Sequence, residues 1–181
     1  MNLAEKLLAV HESLAAAEVP HAFGGAIALA YWTEEPRGTR DIDINVFTSP
    51  QNAVVALESL PGEVAYDEST IQTILRDAQA RLWWDETPID LFFSNLPIHD
   101  AAARHRREVP FEGTDIPILA PLELALFKAM FDRTRDWADI EEMLHARAFD
   151  HKDLETLVVE HVGRDEARLA RLAEAVRRVN R

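Results

Sequence analysis

A chain of 181 residues with 48% hydrophobic side chains has enough apolar surface for one ordinary domain, or a domain with a small helical lobe, and argues against a disordered chain. Cysteine is absent, which removes disulfides, zinc–thiolate sites and thiol chemistry. The formal net charge of −13 repels phosphate backbones at long range, so an extended nucleic-acid footprint is disfavoured.

The segment Met1 to Lys6 has no basic stretch leading into an apolar one, and no run is long enough to span a bilayer. The expectation is a cytoplasmic protein without a membrane segment. Leu3, Leu7, Val10 and Leu14 recur at helical spacing and predict a first helix from Asn2 to about Ala17, ended by Pro20. His21 to Phe23 reads as a short extended piece leading into Gly24-Gly25, and Ala26 to Trp32 as a buried helix. Thr33 to Gly38 is a loop by its proline and glycine. Asp41 to Phe47 alternates acidic and apolar residues and predicts a strand. Ser49-Pro50 is a helix-start signal, with the helix running to about Leu60 and stopped by Pro61-Gly62. Glu63 to Gln79 carries no readable pattern.

Ala80 to Trp84 and Pro88 to Phe93 read as paired strands of a hairpin around Asp85-Glu86-Thr87. Adjacent Trp83 and Trp84 then face opposite sides, one toward core. Pro97 to Arg107 predicts a helix, and Ile116 to Leu119 an edge strand. From Pro121 the pattern is helical: Leu122, Leu126 and Met130 line one helix, Ile140, Met143 and Leu144 another, followed by helices over about 152–161 and 165–179. The fold class is α+β, with a mixed-sheet core over residues 1–120 and a C-terminal helical lobe over 121–181.

Period-2 alternation places Asp41 and Asp43 side by side on one edge of a sheet. Carboxylates that close repel unless a cation lies between them, which points to a Mg²⁺ site for a nucleotide triphosphate. Arg37 and Thr39 precede them at the same interval; in an extended backbone all four share a side, while Arg40 points away as surface charge. A hydroxyl, a guanidinium and two carboxylates suit a metal-bound triphosphate. Taken alone, an acidic half-strand also fits plain solvent exposure. Gly24-Gly25 permits close backbone approach to a phosphate at a helix start, or a tight turn. Asp90, between Ile89 and Leu91, either faces the same cleft as the other acids or opposes an arginine. Arg104 to Arg107 and Arg177-Arg178 with Arg181 are basic groups whose plainer reading is surface charge. The six-residue spacings of His99/His105 and His145/His151 do not suit helical metal ligands.

Gly24-Gly25, Arg37-x-Thr39-x-Asp41-Ile42-Asp43 and Asp90 in an apolar strand together resemble the nucleotidyltransferase fold of the DNA polymerase β superfamily. More narrowly, they are similar to the minimal abortive-infection and toxin–antitoxin nucleotidyltransferases. Leu124 to Lys128 followed by Arg133-x-x-Asp136-x-x-Asp139-Ile140 resembles their lysine helix and the helix after it. The resemblance implies that Asp41, Asp43 and Asp90 hold Mg²⁺ or Mn²⁺, with Asp90 also positioning the acceptor hydroxyl. It implies that Gly24 and Gly25 cradle phosphate, assisted by Arg37 and Thr39, that Lys128 touches the triphosphate, and that Asp136 orients Lys128 or the acceptor. Inter-helix salt bridges are the plainer reading of Lys128, Asp136 and Asp139. The reaction implied is transfer of a nucleoside monophosphate from an NTP, ATP among them, to a hydroxyl on a protein, RNA or small molecule. The loop Thr33 to Pro36 lengthens the spacing from Gly25 to Asp41 relative to the common pattern. Two alternatives use the same fold: a non-catalytic antitoxin-like partner of a basic toxin, and an aminoglycoside-type nucleotidyltransferase, for which an acidic cleft attracts a polycation.

Overall fold

The computed structural model describes residues 1–34 and 37–180. Glu35 and Pro36 of the loop read as an insertion, and Arg181 of the terminal basic group, lie outside the described residues. The chain forms two compact units: Met1–Ile27 with Gly38–Leu119, and Ala28–Arg37 with Ala120–Arg181.

The first unit is built on a six-stranded mixed sheet. Its strands are β1 (His21–Phe23), β2 (Ile42–Val46), β3 (Gln79–Trp84), β4 (Thr87–Phe93), β5 (Arg107–Phe111) and β6 (Thr114–Ile118), in the order β3-β4-β2-β1-β6-β5. β2 runs parallel to β4 and β1 parallel to β6; the other neighbours are antiparallel. Alternation sorts the side chains by face. Ile42, Ile44, Val46, Leu82, Trp84, Ile89, Leu91 and Phe93 are all buried. The intervening residues Asp43, Asp90 and Arg81 share the other face, opposite one another in register. Trp84 is core and Trp83, at 50% exposure, is not, as the alternation expects.

Helix α1 (Leu3–Ala16) starts on a reciprocal cap. The Asn2 side chain accepts the Glu5 N–H, and the Glu5 carboxylate accepts the Asn2 N–H. It buries Leu7, Val10 and Leu14, and with them Lys6. That ammonium donates to the Trp84 carbonyl at 2.8 Å and to Asp85 Oδ2 and Thr87 Oγ1, both at 3.1 Å. Three acceptors match its three N–H groups, so the buried charge is satisfied and the hairpin turn is pinned to α1.

Several elements differ from the sequence expectation. The helix expected from Pro50 to Leu60 is a 3₁₀ turn, Pro50–Asn52, followed by α3 (Ala53–Glu58). The unreadable stretch contains α4 (Glu68–Asp77), capped by Asp67 and Thr70. It buries only Ile74, too little to give a periodic apolar stripe. Helix α5 (Ile98–His105) ends before Arg107, which instead begins β5. Ile116 to Leu119 is not an edge: β6 lies between β1 and β5. Glu112 and Gly113, at φ 47° and 90°, make a two-residue turn that folds β5 back along β6 and covers it.

Helix α2 (Gly25–Trp32) begins in the first unit and ends in the second. The second unit otherwise comprises α6 (Pro121–Phe131), α7 (Thr134–His145), α8 (His151–Val162) and α9 (Glu166–Val179). α6 packs on α7 and α8, and α9 packs on α7 and α8. The buried residues Leu124, Leu126, Ala129, Ile140, Met143, Leu154, Val158 and Leu172 belong to these helices. Arg168 of α9 donates to the carbonyls of Ala129 at 3.0 Å and Met130 at 3.2 Å, which satisfies acceptors left open at the end of α6. Among the described residues no helix is long and apolar enough to cross a membrane.

Candidate active site

The diglycine and the second acid of the Asp-x-Asp motif come together by backbone pairing. The Gly24 N–H donates to the Asp43 carbonyl at 2.9 Å as β1 leaves the sheet. Gly25 then opens α2 at φ +52°, a left-handed conformation that glycine adopts without a Cβ penalty. There is no room for a side chain: a Cβ on Gly25 would lie 1.7 Å from Asp43 Oδ2. Gly24 is nearly as tight, its missing Cβ 3.0 Å from Asn45 Nδ2 and 3.2 Å from Leu119 Cδ1. The Asp43 carboxylate therefore sits against the first turn of α2, where backbone N–H groups favour negative charge.

Asp41 stands two residues earlier, just before β2 begins. Its carboxylate accepts a short hydrogen bond from Thr39 Oγ1, and its N–H donates to the same hydroxyl oxygen at 3.3 Å. Thr39 is thus a local brace for Asp41. On the other side of Asp43, parallel pairing of β2 and β4 sets Asp90 directly beside it. Adjacent strands run about 4.8 Å apart, so these acids are near neighbours on one face.

Asp90 also opposes an arginine. Arg81, its register partner on β3, donates Nε to Oδ1 at 2.7 Å and NH2 to Oδ2 at 2.6 Å, a bidentate ion pair. The hydrogen bonds to Asp90 raise the Arg81 guanidinium above its ordinary pKa against a smaller opposing effect of burial, and the charges of Asp90, Asp41 and Asp43 add to the rise. Arg81 thus feels all three acids. Both readings of Asp90 hold together, beside Asp43 and against an arginine. Arg81 was not among the expected site residues. The two-residue turn at Asp85-Glu86 fixes the pairing of Trp84 with Thr87, and counting back along the hairpin reaches Arg81 and Asp90.

The other expected site residues belong to the second unit. An extended run from Arg37 through Asp43 does not form, because the strand begins at Ile42. The Arg37 guanidinium donates to both oxygens of Asp139, each at 3.0 Å. The buried Lys128 donates to Asp139 Oδ2 at 2.6 Å. Burial pushes the Asp139 pKa up, but the hydrogen bonds from Arg37 and Lys128 outweigh it and hold the carboxyl below its ordinary range. Asp136 accepts from Arg133 Nε at 2.7 Å and from the Arg133 backbone N–H at 3.2 Å, capping α7.

A divalent cation fits the donor chemistry of Asp41 and Asp43: hard carboxylate oxygens, that of Asp43 seated in the space a Cβ on Gly25 would take. Among the described residues no group of three or more His, Asp or Glu side chains is gathered in a geometry that could hold a metal ion.

No family model matches the chain, and no curated protein does. Solved structures do. The antibiotic-resistance factor ANT(2'')-Ia aligns over 97% of this chain and 97% of its own, at a TM-score of 0.61 and 14% identity. JHP933 from Helicobacter pylori aligns over 97% of this chain and 89% of its own, at 0.48 and 16%. An antigenic nucleotidyltransferase-like protein from Paracoccidioides brasiliensis aligns over 93% and 91%, at 0.45 and 12%. The chain has an α+β nucleotidyltransferase fold with a helical C-terminal part.

Proposed function

We propose that the protein is a metal-dependent nucleotidyltransferase that moves a nucleoside monophosphate from an NTP to an acceptor hydroxyl. The observation that carries this reading is the absence of space for any side chain at Gly25 beside the Asp43 carboxylate, with Asp41 two residues before it and Asp90 its register partner on β4. Asp41 and Asp43 hold Mg²⁺ or Mn²⁺, which when bound neutralises triphosphate charge and polarises the α-phosphorus. The first amides of α2 face phosphate oxygens. Asp90 keeps lone pairs beyond the two that Arg81 occupies, so it can accept the proton of the attacking hydroxyl. The acceptor oxygen forms a bond to the α-phosphorus, the bond to the bridging oxygen breaks, and pyrophosphate leaves with the electron pair.

The acceptor is a protein, an RNA or a small molecule, and a toxin–antitoxin or phage-defence setting suits a protein partner. The test is incubation with Mg²⁺ and each α-labelled NTP in the presence of cell extract, basic proteins, RNA and aminoglycosides. Label transfer is expected in one of these acceptor classes and is lost in Asp41→Ala with Asp43→Ala. An intact protein that binds no NTP, and whose behaviour the double variant does not alter, rules the enzyme reading out in favour of a scaffold.

A further inference from the structure

The face of the sheet that carries the acids continues past Asp90 onto β3. There Leu82 and Trp84 are buried, while Trp83 between them stands 50% exposed. Alternation puts its indole on the same face as Arg81, two residues back, and register sets it opposite Pro88, two residues before Asp90. Diagonal neighbours on adjacent strands lie about 7–8 Å apart, within reach of an aromatic side chain. The indole and the Asp90 carboxylate are therefore separated by the span of a single small ring and its hydroxyl. Arg81 stands beside both, with half of its side chain exposed. Two of its five N–H groups go to Asp90, at 2.7 and 2.6 Å, which leaves three to donate to a ligand. All of these residues belong to the first unit.

The combination selects a ligand chemistry. An indole face packs against the C–H face of a saturated ring or against a flat base. Guanidinium N–H groups donate to hydroxyl oxygens or to phosphates. The neighbouring carboxylates and the net charge of −13 oppose a phosphodiester chain, which leaves the polyhydroxylated ring. We propose that Trp83 and Arg81 form the acceptor-binding surface and that the acceptor is a sugar-class molecule. Its ring lies on the indole, neighbouring hydroxyls accept from Arg81, and the attacking hydroxyl reaches Asp90. The inference rests on the nucleotidyl transfer proposed above and deepens it, naming where the acceptor binds and its class. Donor and acceptor then occupy different strands of one face, phosphate at the α2 turn beside β1 and β2, the sugar over β3 and β4.

Fluorine NMR on the full chain labelled with 5-fluorotryptophan tests this. The signals of Trp32, Trp83, Trp84 and Trp137 are assigned by single exchanges to phenylalanine. With Mg²⁺ and the non-hydrolysable analogue of each NTP present, maltotriose and kanamycin are titrated in as a neutral and a cationic sugar. At least one is expected to move the Trp83 signal saturably and to leave that of Trp137 in place. In calorimetric titration of the unlabelled protein, Trp83→Ala is expected to weaken binding of that sugar about tenfold or more, and Trp83→Phe less than about threefold. Arg81→Lys, which keeps the charge and loses the fork, is expected to weaken it about tenfold. Should Trp83→Ala fail to fold, Arg81→Lys and the fluorine shift carry the test. The proposal is overturned if an NTP analogue binds while neither sugar moves the Trp83 signal, or if Trp83→Ala binds the sugar as the wild type does. It is equally overturned if a short RNA or a peptide bearing serine and tyrosine moves Trp83 where the sugars do not. A protein that binds no NTP analogue fails earlier, at the transfer reaction itself, and the acceptor surface falls with it.

Discussion

At the scale of single residues, the missing Cβ of Gly25 decides the most. Alanine there meets Asp43 Oδ2 at 1.7 Å and must also hold φ near +52°. Gly25→Ala is expected to lose about 1–3 kcal/mol of stability in urea denaturation, the cost of a strained left-handed residue, and to lose Mn²⁺ binding as Asp43 is displaced. Thr48, just past the end of β2, carries a cost of another kind. Its Oγ1 is buried with no hydrogen-bond partner among the described residues. Valine has the same shape without the stranded hydroxyl, so Thr48→Val is expected to raise the urea midpoint by about 1 kcal/mol equivalent. A midpoint that falls would show that the hydroxyl has a partner.

Between elements, α1 and β1 are joined through two histidines whose protonation is fixed by geometry. His21 Nδ1 lies 2.8 Å from the Val19 carbonyl and must carry the proton; its Nε2 therefore accepts from His11 Nδ1 at 3.0 Å. Burial, opposed by the Val19 hydrogen bond and reinforced by His11 and Arg106, lowers the His21 pKa from 6.5 to about 4. The unfolded chain thus takes up a proton between those values that the folded chain refuses. Stability falls as pH drops from about 6.5 toward 4, by on the order of 2–3 kcal/mol. Urea midpoints at pH 7, 5.5 and 4.5 should show this slope, and His21→Phe should flatten it. Among the helices of the second unit, Asp139 holds both Lys128 and Arg37. Asp139→Ala strands the Lys128 ammonium in the interior and is expected to cost about 3–5 kcal/mol, read as a large fall in melting temperature. Asp139→Ala with Lys128→Met should recover much of that loss. Because the Asp139 pKa is depressed, the stability it contributes is present above the ordinary carboxylate range and is lost only under more acidic conditions.

Over the whole molecule, 32 acidic side chains against 19 basic ones leave −13 to be held together. Self-repulsion of that size is screened by salt, so the melting temperature is expected to rise between about 10 and 200 mM NaCl; a flat or falling curve would mean that local ion pairs dominate. The same scale shows what sequence reading reaches. Elements with strong local signals were legible: α1 from its leucine spacing, the hairpin from its alternation, and the apolar face of β2 and β4. The convergence of Asp43 and Asp90 was expected, and the register confirms that they are neighbours. Elements whose order depends on other elements were not legible. β5 has no apolar run, α4 buries only one side chain fully, and Arg37 meets its carboxylate partner across 102 residues of chain. Local patterns record which face of an element is buried; they do not record which distant element covers it.

The β3–β4 hairpin also bears on the order in which the molecule forms. Arg81 and Asp90 are nine residues apart across a two-residue turn, so their pair closes with the hairpin, an early and inexpensive event in loop entropy. The parallel docking of β2 on β4 joins distant segments and comes later. A hairpin that closes first brings Asp90 to Asp43 already paired with a positive charge, which relieves the repulsion between the two carboxylates as the strands dock.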